Sequence, residues 1–538
     1  MNLTFSTEST RDEKSMSVLR RWYPAVLLIS VSLLALYAVQ ADVVSLTGKP
    51  SRDILLLIGA TELAFYVWIR VFSSMRLAHQ ALTLILFVGL QSCAFLMARL
   101  DGFTGDGRPI LVWRWSPTPE QLFDKSRTRR ASADRDSIAV DLTKTTEWDC
   151  PAFRGADRSG RMKPFQVATD WGGLPPKQLW KQPIGRGWSS FAVVGNYCVT
   201  QEQRREDEVV VCYELRTGRE VWVHRDPARF DETTGGAGPR ATPTIHNGFV
   251  YTVGATGVLN CLDGGTGKRI WSVDILKDNK IDNRLFGMAG SPLVVGPLVV
   301  VSPGGMGSSL AAYDLKSGRA VWKGGDAAAS YSSPQLAPFA DGHQVLSFNA
   351  EGLSVHDPQT GQEACRYPWV SNPSERNNVC QPVPLPDFGR ERIDCVFISS
   401  GYGKGCALLE IRRLNGRLSF HKRWGNRNLK AKFSSVVIHE GCVYGLDGSI
   451  LTCIDLNSGR RHWKAGRYGY GQLSLVGSTL LIQLESGEIA LVNATSQSHQ
   501  ELARFGALDG RTWNHPVLAG RHLLVRNDRE AACFELHQ

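Results

Sequence analysis

No two cysteines of this chain are spaced as CxxC, and no Cys/His cluster has zinc-ligand spacing, so a metal centre is not expected. Nor are any two cysteines adjacent. Charged residues are only 21% of the 538, too few for a disordered polyelectrolyte, and no glycine period points to a collagen-like chain. The net charge of +10 first suggests a nucleic-acid partner. Many of its arginines and lysines, however, flank apolar stretches or sit in one polar segment, 125–137 (KSRTRRASADRDS), so no nucleic-acid partner is expected. That segment reads as solvated linker. Glycine and tryptophan are plentiful, at 53 and 15 residues, as in a fold with many turns closed by aromatic packing.

Three apolar stretches, 24–41, 54–72 and 81–100, open the chain. Each is close to the roughly 20 residues that cross a bilayer as a helix, and a cleaved leader would account only for the first. The reading is a cytoplasmic tail at 1–22, three transmembrane helices within 23–100, a linker and lead-in at 101–176, and the remainder at 177–538. Glu62 is the one acidic residue inside a stretch, and a carboxylate there is expected to face a neighbouring helix. Arg11, Lys14, Arg20 and Arg21 precede the first stretch, while Arg70 and Arg76 lie between the second and third. Positive residues favour the cytoplasmic side, which makes this a multi-pass inner-membrane chain with everything after residue 100 on the periplasmic or exterior side.

The rest of the chain repeats itself. CYELRTGREVW (212–222), CLDGGTGKRIW (261–271), AYDLKSGRAVW (312–322) and CIDLNSGRRHW (453–463) share an acidic residue, a Gly four positions later and a Trp four beyond that. Weaker copies stand at Asp357, Gly361 and Cys365 and at Arg412, Gly416 and Phe420, with degenerate ones at Asn493 and Glu535. In each copy a strand ends in a turn where Asp bonds its own backbone, Gly supplies positive φ, and the next strand leaves with a large aromatic. Two further apolar runs precede each copy, giving four strands per unit.

Units at roughly 40 to 50 residues are propeller blades, and ring closure leaves no open edge. The prediction is an all-β, eight-bladed β-propeller of four-stranded blades, preceded by three transmembrane α-helices. Glu535 lies too near residue 538 to be followed by an outermost strand. KQLWKQPI (177–184), with Trp180 in the repeat position, is expected to supply it. The repeat tryptophans should pack between neighbouring sheets. Cys212, Cys261, Cys453 and Cys533 share one repeat position and read as small core residues. GGTGKR (264–269) falls on the repeat turn and lacks Ser or Thr after Lys268, so it is not read as a phosphate loop.

These units resemble the pyrroloquinoline-quinone-like propeller repeat, and the lead-in WDCPAFRGADRSGR (148–161) is similar to the W-P-x-F-R-G opening of many bacterial proteins of that type. The family includes quinoprotein alcohol dehydrogenases and BamB-like assembly proteins. For the dehydrogenases the resemblance implies a calcium-bound pyrroloquinoline quinone, a carboxylate base and often a pair of adjacent cysteines. No calcium-ligating Glu and Asn set and no catalytic Asp map onto this chain, because Asp263, Asp314 and Asp455 are turn residues. The resemblance therefore implies first a non-catalytic binding or scaffold propeller at the outer face of the inner membrane. A membrane-bound quinone-dependent alcohol or sugar dehydrogenase is the alternative.

One candidate site emerges from the starts of the innermost strands. Aligning GWSSF, PRATP, MAGSP, YSSP, FSSV, YGQL and WNHP puts Trp188, Arg240, Ala289, Tyr331, Phe433, Tyr470 and Trp513 in one position, expected to ring a mouth of the central channel. The fifth blade is too irregular to align. Arg186, Lys432, Arg467 and Arg511 should make that mouth basic, with Glu202 and Arg204 either behind it or on a surface loop. Aromatic faces beside cations suit a small flat anion, of which a quinone tricarboxylate is one, or an acidic, extended protein or peptide segment.

Overall fold

The computed structural model describes residues 50–72, 76–130, 140–340, 342–374 and 376–537, in two compact units that part between Ser116 and Pro117. The first unit holds helices Pro50–Phe72 and Leu77–Met97 and a hairpin of Ala98–Phe103 with Pro109–Trp113. Phe65 stacks on Phe87 at 4.0 Å, with Trp68 and Ile69 buried beside them. Leu63, Val71, Ile85 and Leu86 are exposed on the same helices. The expected transmembrane spans are not supported. The stretch 24–41 lies outside the described residues, and among those described no helix is long and apolar enough to cross a membrane. Helix Pro50–Phe72 carries Arg52, Asp53, Glu62 and Arg70, and Glu62 is exposed.

The second unit is the propeller, eight antiparallel sheets in a ring. Blade 1 runs from Ala192–Val194 to Glu220–Asp226, and five more follow in chain order to blade 6, Val437–His439 to Arg461–Arg467. Blade 7 gains a short parallel strand, Arg161–Met162, from the lead-in. Blade 8 has three strands from the end of the chain, and its fourth is Lys177–Pro183, with Trp180 opposite Cys533. The ring is thus clasped as the spacing of the repeat required.

Between residues expected to be linker, helix Pro119–Arg130 folds against blade 1. A reciprocal cap starts it, with Gln121 N donating to Thr118 Oγ1 and Thr118 N to Gln121 Oε1. Phe123 is buried under the Arg204 guanidinium, and Arg205 pairs with Asp124. Part of the segment read as solvated linker is therefore the end of a docked helix.

The repeat turn is built as its residues dictate. Asp263 Oδ1 accepts from Thr266 N and Gly267 takes φ 70°; Asp314, Asp357 and Asp455 do the same with Ser317, Thr360 and Ser458. That glycine is where the preceding blade's tryptophan lands. A Cβ on Gly267 would meet the Trp222 ring at 2.4 Å, and Gly218, Gly318 and Gly361 stand likewise against Trp180, Trp271 and Trp322. Each indole also donates to a carbonyl of the next blade's turn: Trp180 to Leu215, Trp222 to Gly264, Trp271 to Leu315 and Trp322 to Pro358.

In blade 5 the repeat residue is Trp424, not Phe420. It donates to Leu456 O and covers Gly459. The last hairpin of that blade, Gly405–Leu414 with Arg417–Asn426, is longer than its counterparts, so its Asn415–Gly416 turn lies beyond the sheet and mimics the repeat without occupying its place.

Candidate functional site

Two residues past each ring position, the innermost strands are tied blade to blade. Ser190 N donates to Thr242 Oγ1, Thr242 N to Ser291 Oγ, Ser291 N to Ser333 Oγ, Ser333 N to Gln381 Oε1 and Gln381 N to Ser435 Oγ. Gln472 continues the belt through Phe433 O and Trp513 O, and Ser190 Oγ closes it on His515 O. These side chains fix the starts of the strands, and hence the residues just before them. They also give the fifth blade's place in the alignment to Val379, two residues before Gln381.

The ring residues Trp188, Arg240, Ala289, Tyr331, Phe433, Tyr470 and Trp513 are half-buried, next to buried belt residues. Four of them form a continuous wall on blades 1, 8, 6 and 7. Trp188 meets Trp513 at 4.8 Å, Trp513 meets Phe433 at 5.3 Å, and Phe433 meets Tyr470 at 5.5 Å. Arg511 lies over Trp513 and Trp188, at 4.6 and 4.9 Å, and Lys432 Nζ over Phe433 and Tyr470, at 4.7 and 4.8 Å. Glu485 braces the wall, accepting from Trp513 Nε1 and Tyr470 N. The other members stand apart from it. Tyr331 pairs with Phe286, while Arg240 covers Phe230 and donates to the Gly236 and Gly238 carbonyls. Arg467 is exposed and donates to Ser449.

Behind the wall, Asp528 is buried with Arg511 at 3.2 Å, Arg529 at 3.5 Å and Arg186 at 3.6 Å. Burial pushes its carboxyl up, and the guanidiniums outweigh this and hold it below the usual range. Three guanidiniums thus share one carboxylate behind the wall. Glu202 and Arg204 are not at the mouth surface. They form a buried ion pair at 2.8 Å, joined by Tyr213 and Glu220, and Glu202 also accepts from Gly185 N. A cleft of about 450 Å³ opens between this pair's strand and helix Pro119–Arg130, with Arg186 on its wall.

Glu208, buried near Arg240, was not singled out by sequence. It accepts from Ala255 N and Thr256 Oγ1, and burial raises its carboxyl to about 7. The folded state therefore holds that proton more tightly than the unfolded one, whose pKa is near 4.5. Its effect on stability is most favourable below pH 4.5 and declines as pH rises to about 7. In Glu208→Gln this decline should disappear, as urea midpoints measured from pH 4.5 to 7.5 will show.

The far end of the channel is occupied. Residues 148–162 lie across it, with Cys150 bridged to Val193, Pro151 O accepting from Ile245 N and Trp148 O from Gly520 N. Arg154 donates to Val436 O, and Arg158 to the carbonyls of Ser291, Pro292 and Pro334. All these partners follow the ring positions of their blades, Ser291 by only two residues, so the lead-in enters from the side away from the ring and reaches as far as the belt. Among the described residues, no three His, Cys, Asp or Glu side chains stand together as metal ligands. Asp528 is held by arginines and Glu485 by the wall, so these residues do not fit the calcium of a quinone site.

Residues 206–465, just under half the chain, match the family described as outer membrane protein assembly factor BamB. The chain is 33% identical over 122 residues to the quinohemoprotein alcohol dehydrogenase ADH-IIG of Pseudomonas putida, an overlap of 21% of this chain and 16% of that protein. It is 26% identical over 171 residues to a 1-butanol dehydrogenase (quinone) of Thauera butanivorans, covering 28% of this chain and 26% of that one. The matches thus span only about a sixth and a quarter of those relatives. The solved quinohemoprotein alcohol dehydrogenase of Comamonas testosteroni superposes with a TM-score of 0.53 at 14% identity, over 78% of this chain and 84% of that structure. That likeness is one of fold.

Proposed function

We propose that this chain is a non-catalytic binding propeller that takes a small anionic ligand, or an acidic extended segment of a partner protein, at the Trp188–Trp513–Phe433–Tyr470 wall. The carrying observation is that Lys432 and Arg511 are both stacked on that wall, so charge and flat apolar surface are offered together. Buried aromatics flanked by arginine dominate binding energies where they occur, and their truncation costs about 2 kcal/mol or more. Trp188→Ala with Trp513→Ala should weaken binding of an oligo-glutamate peptide or of pyrroloquinoline quinone, titrated calorimetrically, at least tenfold. Full affinity in the folded double variant moves the site elsewhere.

A second reading, a quinone-dependent oxidoreductase, is favoured by the similarity to quinohemoprotein alcohol dehydrogenases. Purified protein incubated with pyrroloquinoline quinone and calcium separates the two. A saturable, calcium-dependent dye reduction with alcohols or sugars replaces the binding reading. The charges flanking the apolar stretches favour a propeller at the outer face of the inner membrane. The exposed Leu63, Val71, Ile85 and Leu86 support a membrane contact. An export-dependent reporter enzyme fused after residue 176 should be active, and an inactive fusion rejects this topology.

A further inference from the structure

The lead-in carries two guanidiniums into the propeller. Arg154 and Arg158 are each 3% exposed, and the acceptors they meet are backbone carbonyls: Arg158, Ser159 and Val436 for the first, Ser291, Pro292 and Pro334 for the second. Among the described residues, no carboxylate forms an ion pair with either. Asp157, between them in sequence, attracts Arg154, but it is exposed and turns its Oδ1 to Ser159 N and Oγ. Cys380, whose charge Arg154 would also feel, is a buried thiol pushed up to about 11, and so is neutral. A buried charge without a buried opposite charge beside it is one of the costliest things a fold can hold.

Arg154 Nη1 and His515 Nδ1 are buried and have no hydrogen-bond partner, and the His515 ring is near enough to feel the Arg154 charge. The His515 ring meets Phe153, the neighbour of Arg154, edge-on at 5.1 Å. His515 is also the belt residue of blade 8, so its position is fixed by the ring of strands. We propose that a small monovalent anion of halide size is bound in the channel interior by Arg154 Nη1 and His515 Nδ1–H, fastening the lead-in to the propeller.

A water would satisfy the two nitrogens but leave the guanidinium charge unanswered. A carboxylate or phosphate is normally gripped by two nitrogens of one guanidinium. Arg154 Nε and Nη2 already donate to carbonyls, so a single-atom anion is the species the remaining donor suits. The site lies at the level of the belt, with His515 two residues past Trp513, and its existence does not depend on what the wall binds.

Crystals of the whole chain grown with sodium bromide should show an anomalous peak in contact with Arg154 Nη1. A water there, without anomalous signal, overturns the proposal. In solution, the melting temperature should rise saturably as chloride replaces gluconate at constant ionic strength. His515→Leu keeps the backbone carbonyl that Ser190 uses and removes one donor, so it should raise the half-effective chloride concentration about tenfold. A chloride response equal in the two proteins, or one that fails to saturate below molar salt, means an adventitious ion only and equally rejects the site.

Discussion

Replacing Trp222 with alanine should cost about 3 to 5 kcal/mol of stability, the range for deleting a buried aromatic from a packed core. Trp222 is 8% exposed, its ring covers Gly267 of the next blade, and its Nε1 donates to Gly264 O. The substitution therefore opens a cavity between blades and leaves a turn carbonyl without its donor. Urea denaturation followed by circular dichroism measures the loss. Trp222→Phe, which keeps most of the packing but not the N–H, should recover more than half of it. A near-neutral alanine variant means that blades 1 and 2 are held together by something other than the indole.

Glu202→Gln should be destabilising on a similar scale, about 3 kcal/mol, the low end of the range for breaking a buried ion pair, because Arg204 keeps its bond to Glu220. The carboxylate is fully buried between Arg204 and the charge of Arg526. Burial raises its pKa, and the two arginines outweigh burial and bring it below the ordinary glutamate value. A depressed carboxyl contributes stability that is present above the unfolded pKa, roughly 4.3, and is lost as pH falls through the folded one. Wild type should accordingly lose more stability than the variant on acidification below about pH 4.3. Parallel acid titrations of the two proteins, by melting temperature, provide the comparison.

The architecture was legible because three residue types recur at fixed spacing, and each has a local reason to be there: Asp for the turn, Gly for positive φ, Trp for the neighbouring blade. The closing strand could be read from the one copy of the tryptophan that lacked a blade of its own. Blade 5 was misread at Phe420 because a longer hairpin carries a false Gly turn outward, and counting from that turn cannot find Trp424. The residues proposed for the mouth were read from aligned strand starts. The alignment did not reveal that the wall covers only four blades, since Ala289, Arg240 and Tyr331 fill equivalent positions with unlike contacts. The serines and threonines in those same starts look like ordinary turn polarity, and only the ring geometry turns them into a belt. Arg154 and Arg158 stood in plain view in FRGADRSGR, but a guanidinium that bonds carbonyls of remote strands leaves no pattern in its own segment. Glu208 gave no signal at all, because its partners come from another blade.

The pairing of Trp180 with Cys533 also sets the order in which the molecule can be made. A ribosome delivers the clasp strand Lys177–Pro183 before any of the blades and its partner Glu530–Glu535 after all of them. Until that last segment emerges, the nascent propeller is an open arc, with the clasp strand unpaired at one end and the newest blade bare at the other. Both exposed edges invite pairing with another chain. The stage of synthesis before the clasp can close is thus the one most in need of a chaperone.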